Sequence, residues 1–303
     1  MTQPLGILQH KIRIVKELQN VVETMKTMAS INLGMYEKVN HALAEYEQII
    51  EEGLCAVFQE YQVAGLLGSI QQAMPGLGVV VFGSDQGMVG RFNEQLADLA
   101  VKRLALVTGE IYIWCVGERM ALKLQDSLPL KKLERVPDSS QGITTLVGNL
   151  LLDIVAMQER GKIGKLLVFY NKTTDATGYE SVEQQLLPLD EEWLLRIGKK
   201  RWPTQMVPQV INGGEVAFPH FIREHLFFTM CWACAQSIVS ENSSRLAVMQ
   251  RAAKNIDEIL AELTTSYNGE RQNLIDEELF DVIFGYDALA TPHNKVKSAR
   301  KKS

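Results

Sequence analysis

The feature that most constrains this chain is a run of residues near its start at alternating spacings of four and three. Ile14, Leu18, Val21, Met25, Met28, Asn32, Met35, Val39, Ala42, Tyr46 and Ile49 follow one another in this way. A heptad seam held for about five repeats predicts a helix that lies along another helix. Proline is absent between Pro4 and Pro75, and glycine is sparse before Gly53. The predicted helix therefore runs from about Leu5 to about Tyr61, roughly 85 Å at 1.5 Å per residue. Asn32 is the polar member of the seam, the kind of residue that sets register at some cost in stability.

The other end of the sequence repeats the pattern. Phe221 to Asn268 contains neither glycine nor proline, and Leu246, Met249, Ala253, Ile256, Leu260, Leu263 and Tyr267 again alternate by three and four. Gly269 is expected to weaken the helix locally, and a new stripe begins at Ile275, Leu279, Val282 and Tyr286. Gly285 and Pro292 mark the end, and the polar, basic stretch Thr291–Ser303 is predicted to be disordered. A single-seam helix needs a partner for its stripe. The simplest partner for each is the other, antiparallel; a bundle with other chains satisfies the same pattern.

Between the two lies a different texture. Val79–Phe82, Ile111–Val116 and Leu166–Tyr170 read as buried strands, and Asn93–Leu106, Glu118–Gln125 and Thr144–Glu159 as helices. Alternation of this kind predicts a mainly parallel, doubly wound, Rossmann-like α/β domain. Glu183–Leu187 is a candidate edge strand, and Asp190–Gly214 a connection to the last helix. The division expected is a coiled-coil helix over 1–74, a central α/β domain over 75–214, a second coiled-coil helix over 215–290 and a basic tail over 291–303.

Motifs for chemistry are missing. Gly83, Gly87 and Gly90 follow the first strand, but their spacing is neither G-x-G-x-x-G nor G-x-x-x-x-G-K-[ST], so a tight strand-to-helix turn accounts for them. Asp85 reads as a cap or loop hydrogen-bonder. The histidines are dispersed, and His220 and His225, five apart, do not share a helix face as paired ligands would. Cys231 and Cys234 form a C-x-x-C without a second pair, and their apolar surroundings suit buried thiols. No catalytic residue, cofactor or metal site is expected. The net charge of -5 gives no global footprint for nucleic acid, the only dense basic run being Lys295–Lys302. The chain opens Met1-Thr2-Gln3-Pro4 and passes at once into a helical pattern, so no cleavable leader is expected. No run of 18 apolar residues is present either, so no membrane insertion is expected.

At several points the sequence resembles the gamma subunit of F-type ATP synthases. The first helix carries Met25-Lys26 followed by Thr27-Met28-Ala29-Ser30. The α/β domain opens with Val79–Phe82, then Ser84-Asp85, Gly87, Gly90 and Phe92-Asn93. The last helix carries Ser240-Glu241-Asn242, Arg245, Met249, Tyr267-Asn268, Arg271-Gln272 and Ile275-Asp276-Glu277-Glu278-Leu279. Three features depart from the family. Asn32, Gly34 and Met35 stand where Lys and Arg are common, Asp276 stands where Thr is common, and the basic tail extends past the usual end. These departures are similar to the alternate, often sodium-linked, bacterial branch.

The resemblance implies a non-catalytic rotor subunit whose paired helices form a shaft inside a hexamer of alpha and beta subunits. Its α/β domain would lie beside an epsilon subunit and the c-ring, peripheral to the cytoplasmic face of a bacterial membrane. Ion flow through the membrane sector would turn the shaft, and the shaft would bias the catalytic sites. Met25, Lys26, Arg245, Arg271, Gln272, Asp276 and Glu278 are the residues expected to meet the hexamer or brace the shaft. A coiled-coil scaffold or adaptor and a nucleotide-dependent enzyme on the α/β domain are the rival classes.

Overall fold

A computed structural model of the chain describes residues 4–60, 76–174, 178–200, 202, 204, 206, 208–211 and 213–290. The tail 291–303 and the predicted end of the first helix beyond Glu60 lie outside them. In chain order the elements are α1 (Leu5–Glu60), β1 (Leu77–Phe82), α2 (Phe92–Leu104), β2 (Ile111–Val116), α3 (Glu118–Leu124), β3 (Leu130–Glu134), α4 (Ser140–Glu159), β4 (Lys165–Thr174), β5 (Gly178–Leu187), α5 (Glu191–Lys199) and α6 (Gly214–Ala290). They form two compact bodies. Residues Lys26–Val248 make the larger; the segments up to Met25 and from Met249 make the smaller.

In the larger body the strands order β3-β2-β1-β4-β5. The first four run parallel, and β5 returns antiparallel at the edge. Strand β1 is buried along its whole length, which is why its sequence is a continuous apolar run rather than an alternating one. Side chains alternate between two cores. Leu77, Val79, Val81, Ile113, Cys115, Leu167 and Phe169 face one layer, shared with Leu96, Ala100 and Leu104 of α2 and Met120 and Leu124 of α3. Val80, Phe82, Trp114, Val116, Leu166, Val168 and Tyr170 face the other, with α1, α4 and α6.

Local signals explain several boundaries. The hydroxyl of Ser139 accepts from the Gly142 amide at 3.1 Å and starts α4, four residues before the predicted Thr144. Asp190 accepts from the Glu192 amide at 2.9 Å and starts α5, inside what the sequence reads as a connection. Each cap satisfies an amide that the first helical turn leaves unpaired. By length and composition α4 resembles a membrane span, yet Ile143, Val147, Leu150 and Ile154 are packed in the core beneath the sheet.

Helices α1 and α6 run antiparallel in the larger body. Asn32 lies against Asn242 at 3.5 Å, the Tyr46 hydroxyl donates to Glu224 at 2.9 Å, and the Phe58 and Phe218 rings meet at 5.5 Å. Position numbers rise on one helix as they fall on the other. At Gly53 an added Cβ would stand 2.2 Å from the Phe221 ring, so the two helices approach closely there. In the smaller body the amide of Gln19 donates to Asp257 at 2.8 Å, again joining α1 to α6.

Towards both ends of α1 the buried seam is displaced by one residue from the predicted one, while between Met25 and Val39 members of both stripes are half-buried. Leu8, Ile12, Val15, Gln19, Val22, Lys26, Ala29, Leu33, Tyr36, Asn40, Leu43, Glu47 and Ile50 form one buried or half-buried stripe, and Met25, Asn32, Met35 and Val39 of the predicted seam are half-buried beside it. Ile14, Leu18, Val21, Met28 and Ile49 of the predicted seam are exposed, by 42% to 62%. Two apolar stripes lie side by side on this helix, and heptad spacing alone does not say which faces inward. On α6 the predicted seam Leu246–Tyr267 is the one that is buried or half-buried. That helix passes Gly269 without a break and begins before Pro219, which lies inside its first turns.

Candidate functional site: the C-terminal edge of the sheet

Parallel sheets take their ligands in the crevice where strand order reverses, beyond the carboxyl ends of the strands. Here that point lies between β1 and β4, since the chain moves outward from β1 to β2 and β3 and then returns to β4. The crevice is filled by the chain itself. Ser237 of α6 donates to the carbonyl of Phe82, the last residue of β1, at 2.9 Å. Ser240 donates to the Asn171 carbonyl of β4 at 3.0 Å and lies 3.0 Å from the Thr173 hydroxyl. Ser244 donates to the Val89 carbonyl in the loop after β1 at 2.7 Å. Spacings of three and four place all three serines on one face of the helix.

The glycine-bearing loop is committed in the same way. The two carboxylate oxygens of Asp85 accept the Glu118 and Val136 amides at 2.9 and 3.0 Å, tying β1 to the segments after β2 and β3. Asn93 accepts from the Ser84 amide at 3.1 Å and donates to the Ser84 hydroxyl at 2.7 Å. Gly117, at φ +109, passes so close to Ser84 that a Cβ would stand 2.7 Å from its backbone, which leaves room for hydrogen alone. Asp85 is thus the loop hydrogen-bonder that its position suggested.

A polar knot lies just beyond the serines. Arg245 and Glu241, one turn apart on α6, form an ion pair at 2.6 Å with both side chains under 10% exposed. Burial pushes the Glu241 carboxyl up to about 7, against the pull of Arg245. The Tyr36 hydroxyl of α1 donates to the Pro137 carbonyl at 2.9 Å, and burial raises it to about 12. Among the described residues no group of His, Cys, Asp and Glu is arranged to hold a metal ion. The thiols of Cys231 and Cys234 are buried and pushed up by that burial, Cys234 the further. Such thiols are inert side chains of the core. His225 is stacked on Trp193 at 4.1 Å and held neutral, its imidazole lowered to about 4 by burial.

Of the residues expected to meet the hexamer or brace the shaft, Arg245 is the one placed in this knot, with Glu241 of the neighbouring motif as its partner. Met25 and Lys26 are half-buried on α1, while Arg271, Gln272, Asp276 and Glu278 are exposed on the last turns of α6. The sequence marked Ser240 within its Ser-Glu-Asn motif and left Ser237 aside. The signal that finds it is the hydroxyl at three and seven residues before Ser240 and Ser244, in a helix otherwise buried on every side.

The fold defines a class of protein in which paired end helices flank an α/β domain and the last helix lies across the carboxyl edge of its sheet. The profile of the family described as ATP synthase matches residues 5–289, and the chain belongs to that family, as a gamma chain. Gamma chains are the non-catalytic, central-stalk subunits of F-type ATP synthases. The ATP synthase gamma chain of Nitratiruptor sp. is 24% identical over 301 residues, covering 93% of this chain and 98% of the relative. That of Caldicellulosiruptor saccharolyticus is 24% identical over 295 residues, covering 93% and 97%. Among solved structures, a chain of the Euglena gracilis mitochondrial ATP synthase in rotational state 3 superposes with a TM-score of 0.61 at 18% identity, covering 99% of this chain and 96% of its own. A chain of the Tetrahymena thermophila central stalk and c-ring superposes at 0.55 and 16%, covering 77% and 99%. At those identities the superpositions show the fold.

Proposed function

We propose that this chain is the rotor of a bacterial F-type ATP synthase, turned by the c-ring and turning inside a hexamer of alpha and beta subunits. The observation that carries this reading is the end of α6. From Arg271 to Asp287 every side chain is exposed, including Leu274, Ile275, Leu279, Phe280, Val282, Ile283, Phe284 and Tyr286. An apolar surface of that length on one helix marks a docking site, and an apolar sleeve at the hexamer's centre is the fitting partner. Arg271, Gln272, Asp276 and Glu278 lie among these residues and are the polar contacts proposed with the sleeve; Met25 and Lys26 are proposed contacts on α1.

The α/β domain is proposed to meet an epsilon subunit and the c-ring at the cytoplasmic face of the membrane, with no nucleic acid involved. The subunit would act by touching each catalytic site unequally in its different states, since only unequal contact shifts an equilibrium. The division into two coiled-coil helices, a central domain and a basic tail is proposed to match these roles.

Purification through a tag on this chain, followed by mass spectrometry, tests the reading. Alpha, beta, epsilon and c-ring proteins are expected together, from the membrane fraction. Recovery of the chain without alpha and beta would favour a scaffold. ATP turnover or tight nucleotide binding by the chain alone would favour an enzyme.

A further inference from the structure

We propose that Ser237, Ser240 and Ser244 form the joint that passes torque between α6 and the α/β domain. They are positioning residues for coupling, and the proposal rests on the rotor reading above. Most of what holds α6 against the sheet is apolar: Phe218, Ile222, Leu226, Met230, Ala233 and Ile238 all belong to the shared core. Apolar contact is non-directional. It resists pulling the helix away, but it resists a small turn of the helix about its own axis much less. Hydrogen bonds weaken steeply once donor and acceptor are misaligned, so they resist such a turn.

The three serines supply those bonds, and their acceptors are well fixed. Phe82 ends the central strand β1, and Asn171 belongs to its neighbour β4. The side chain of Asn171 is itself held, donating to the Phe92 carbonyl at 3.1 Å and accepting from the Ser181 hydroxyl at 2.7 Å. Val89 lies in the loop that Asp85 and Asn93 pin. Two adjacent strands and a loop give separate anchor points, which set both the azimuth and the height of the helix. Ser237 and Ser240 are 2% and 0% exposed, so water cannot take the place of either bond. The place where related sheets hold a ligand is used here to hold the axle.

The test uses the complete ATP synthase containing this chain, reconstituted in vesicles, with Ser237→Ala, Ser240→Ala and Ser244→Ala combined. ATP hydrolysis per assembled complex is measured without an ion gradient, and ATP-driven ion pumping is measured against gradients of increasing size. The expected result is hydrolysis close to the parent's and pumping reduced about fivefold or more, a factor of the size one lost hydrogen bond represents, with the deficit growing as the opposing gradient grows. Pumping and hydrolysis both unchanged at every gradient would overturn the joint. A proportional fall in both would also overturn it, leaving the serines a structural role only. If the triple variant does not assemble, Ser240→Ala and Ser244→Ala are measured singly by the same protocol. Failure of the rotor reading itself is distinct, because the parent complex would then lack this chain.

Discussion

Arg245 and Glu241 carry opposite charges into a part of the protein that water hardly reaches, and neither is comfortable there alone. Removing one partner of such a pair leaves a bare buried charge, which costs about 3–5 kcal/mol. Glu241→Ala is expected to destabilise the chain by that amount in denaturant unfolding, and the double variant with Arg245→Ala by less than the two single costs added together. The same pair gives a pH dependence. Burial raises the Glu241 carboxyl from an ordinary 4.5 to about 7, so the folded state holds its proton more tightly than the unfolded one. Its contribution to stability is fully present below about pH 4.5 and is lost as pH rises through about 7. Thermal unfolding of the parent and of Glu241→Gln, followed from pH 4.5 to 8, checks this: the variant's midpoint is expected to lack that part of the decline. The sequence marked Arg245 through its motif. It did not mark the partner's perturbed proton, because burial depends on which face of α6 meets the sheet.

The helices α1 and α6 were legible as elements and as a pair, and the α1 register only in its middle turns. The outward stripe of α1, with Ile14, Leu18, Val21 and Ile49, is more apolar than the inward one, which includes Gln19, Lys26, Asn40 and Glu47. Apolarity therefore favoured the outward stripe, of which Met25, Asn32, Met35 and Val39 alone are half-buried. Val22→Ser, on the inward face, is expected to destabilise the isolated chain by about 1–2 kcal/mol, while Leu18→Ser stays within about 0.5 kcal/mol. Equal costs, read by denaturant unfolding, would restore the first register. Gly53→Ala drives a methyl into the Phe221 ring and is expected to cost about 1–3 kcal/mol. Replacing Phe221 by Leu in the same chain should recover part of that loss. In the sheet, β1, β2 and β4 were visible as apolar runs. Strand β3 was not, because Lys131, Lys132 and Glu134 give it the composition of a surface loop.

For the whole molecule, stability and assembly are separable. From Arg271 to Asp287 the apolar end of α6 is exposed, so Phe280→Glu is expected to leave thermal unfolding of the isolated chain within about 0.5 kcal/mol of the parent. The same variant is expected to lower the yield of alpha and beta proteins recovered with the chain. A large loss of stability without loss of recovery would mean that this end is folded against something within the chain. The class of the protein was legible because two seams at opposite ends of the sequence announce a pair. The closed crevice was not, because strand and helix patterns describe a sheet without saying what occupies its edge.

The serines that close that edge also set a timetable. The sheet is made midway through synthesis, but its switch point stays open until residues 237–244 leave the ribosome, and α1 waits just as long for the helix it lies along. Contacts between the two ends of a chain form late and slowly. A chain stopped at residue 213 is expected to be cut rapidly within α1 by added protease, whereas the full chain resists. Newly made copies therefore spend most of their synthesis with a first helix and a half-built sheet that the last helix has yet to cover.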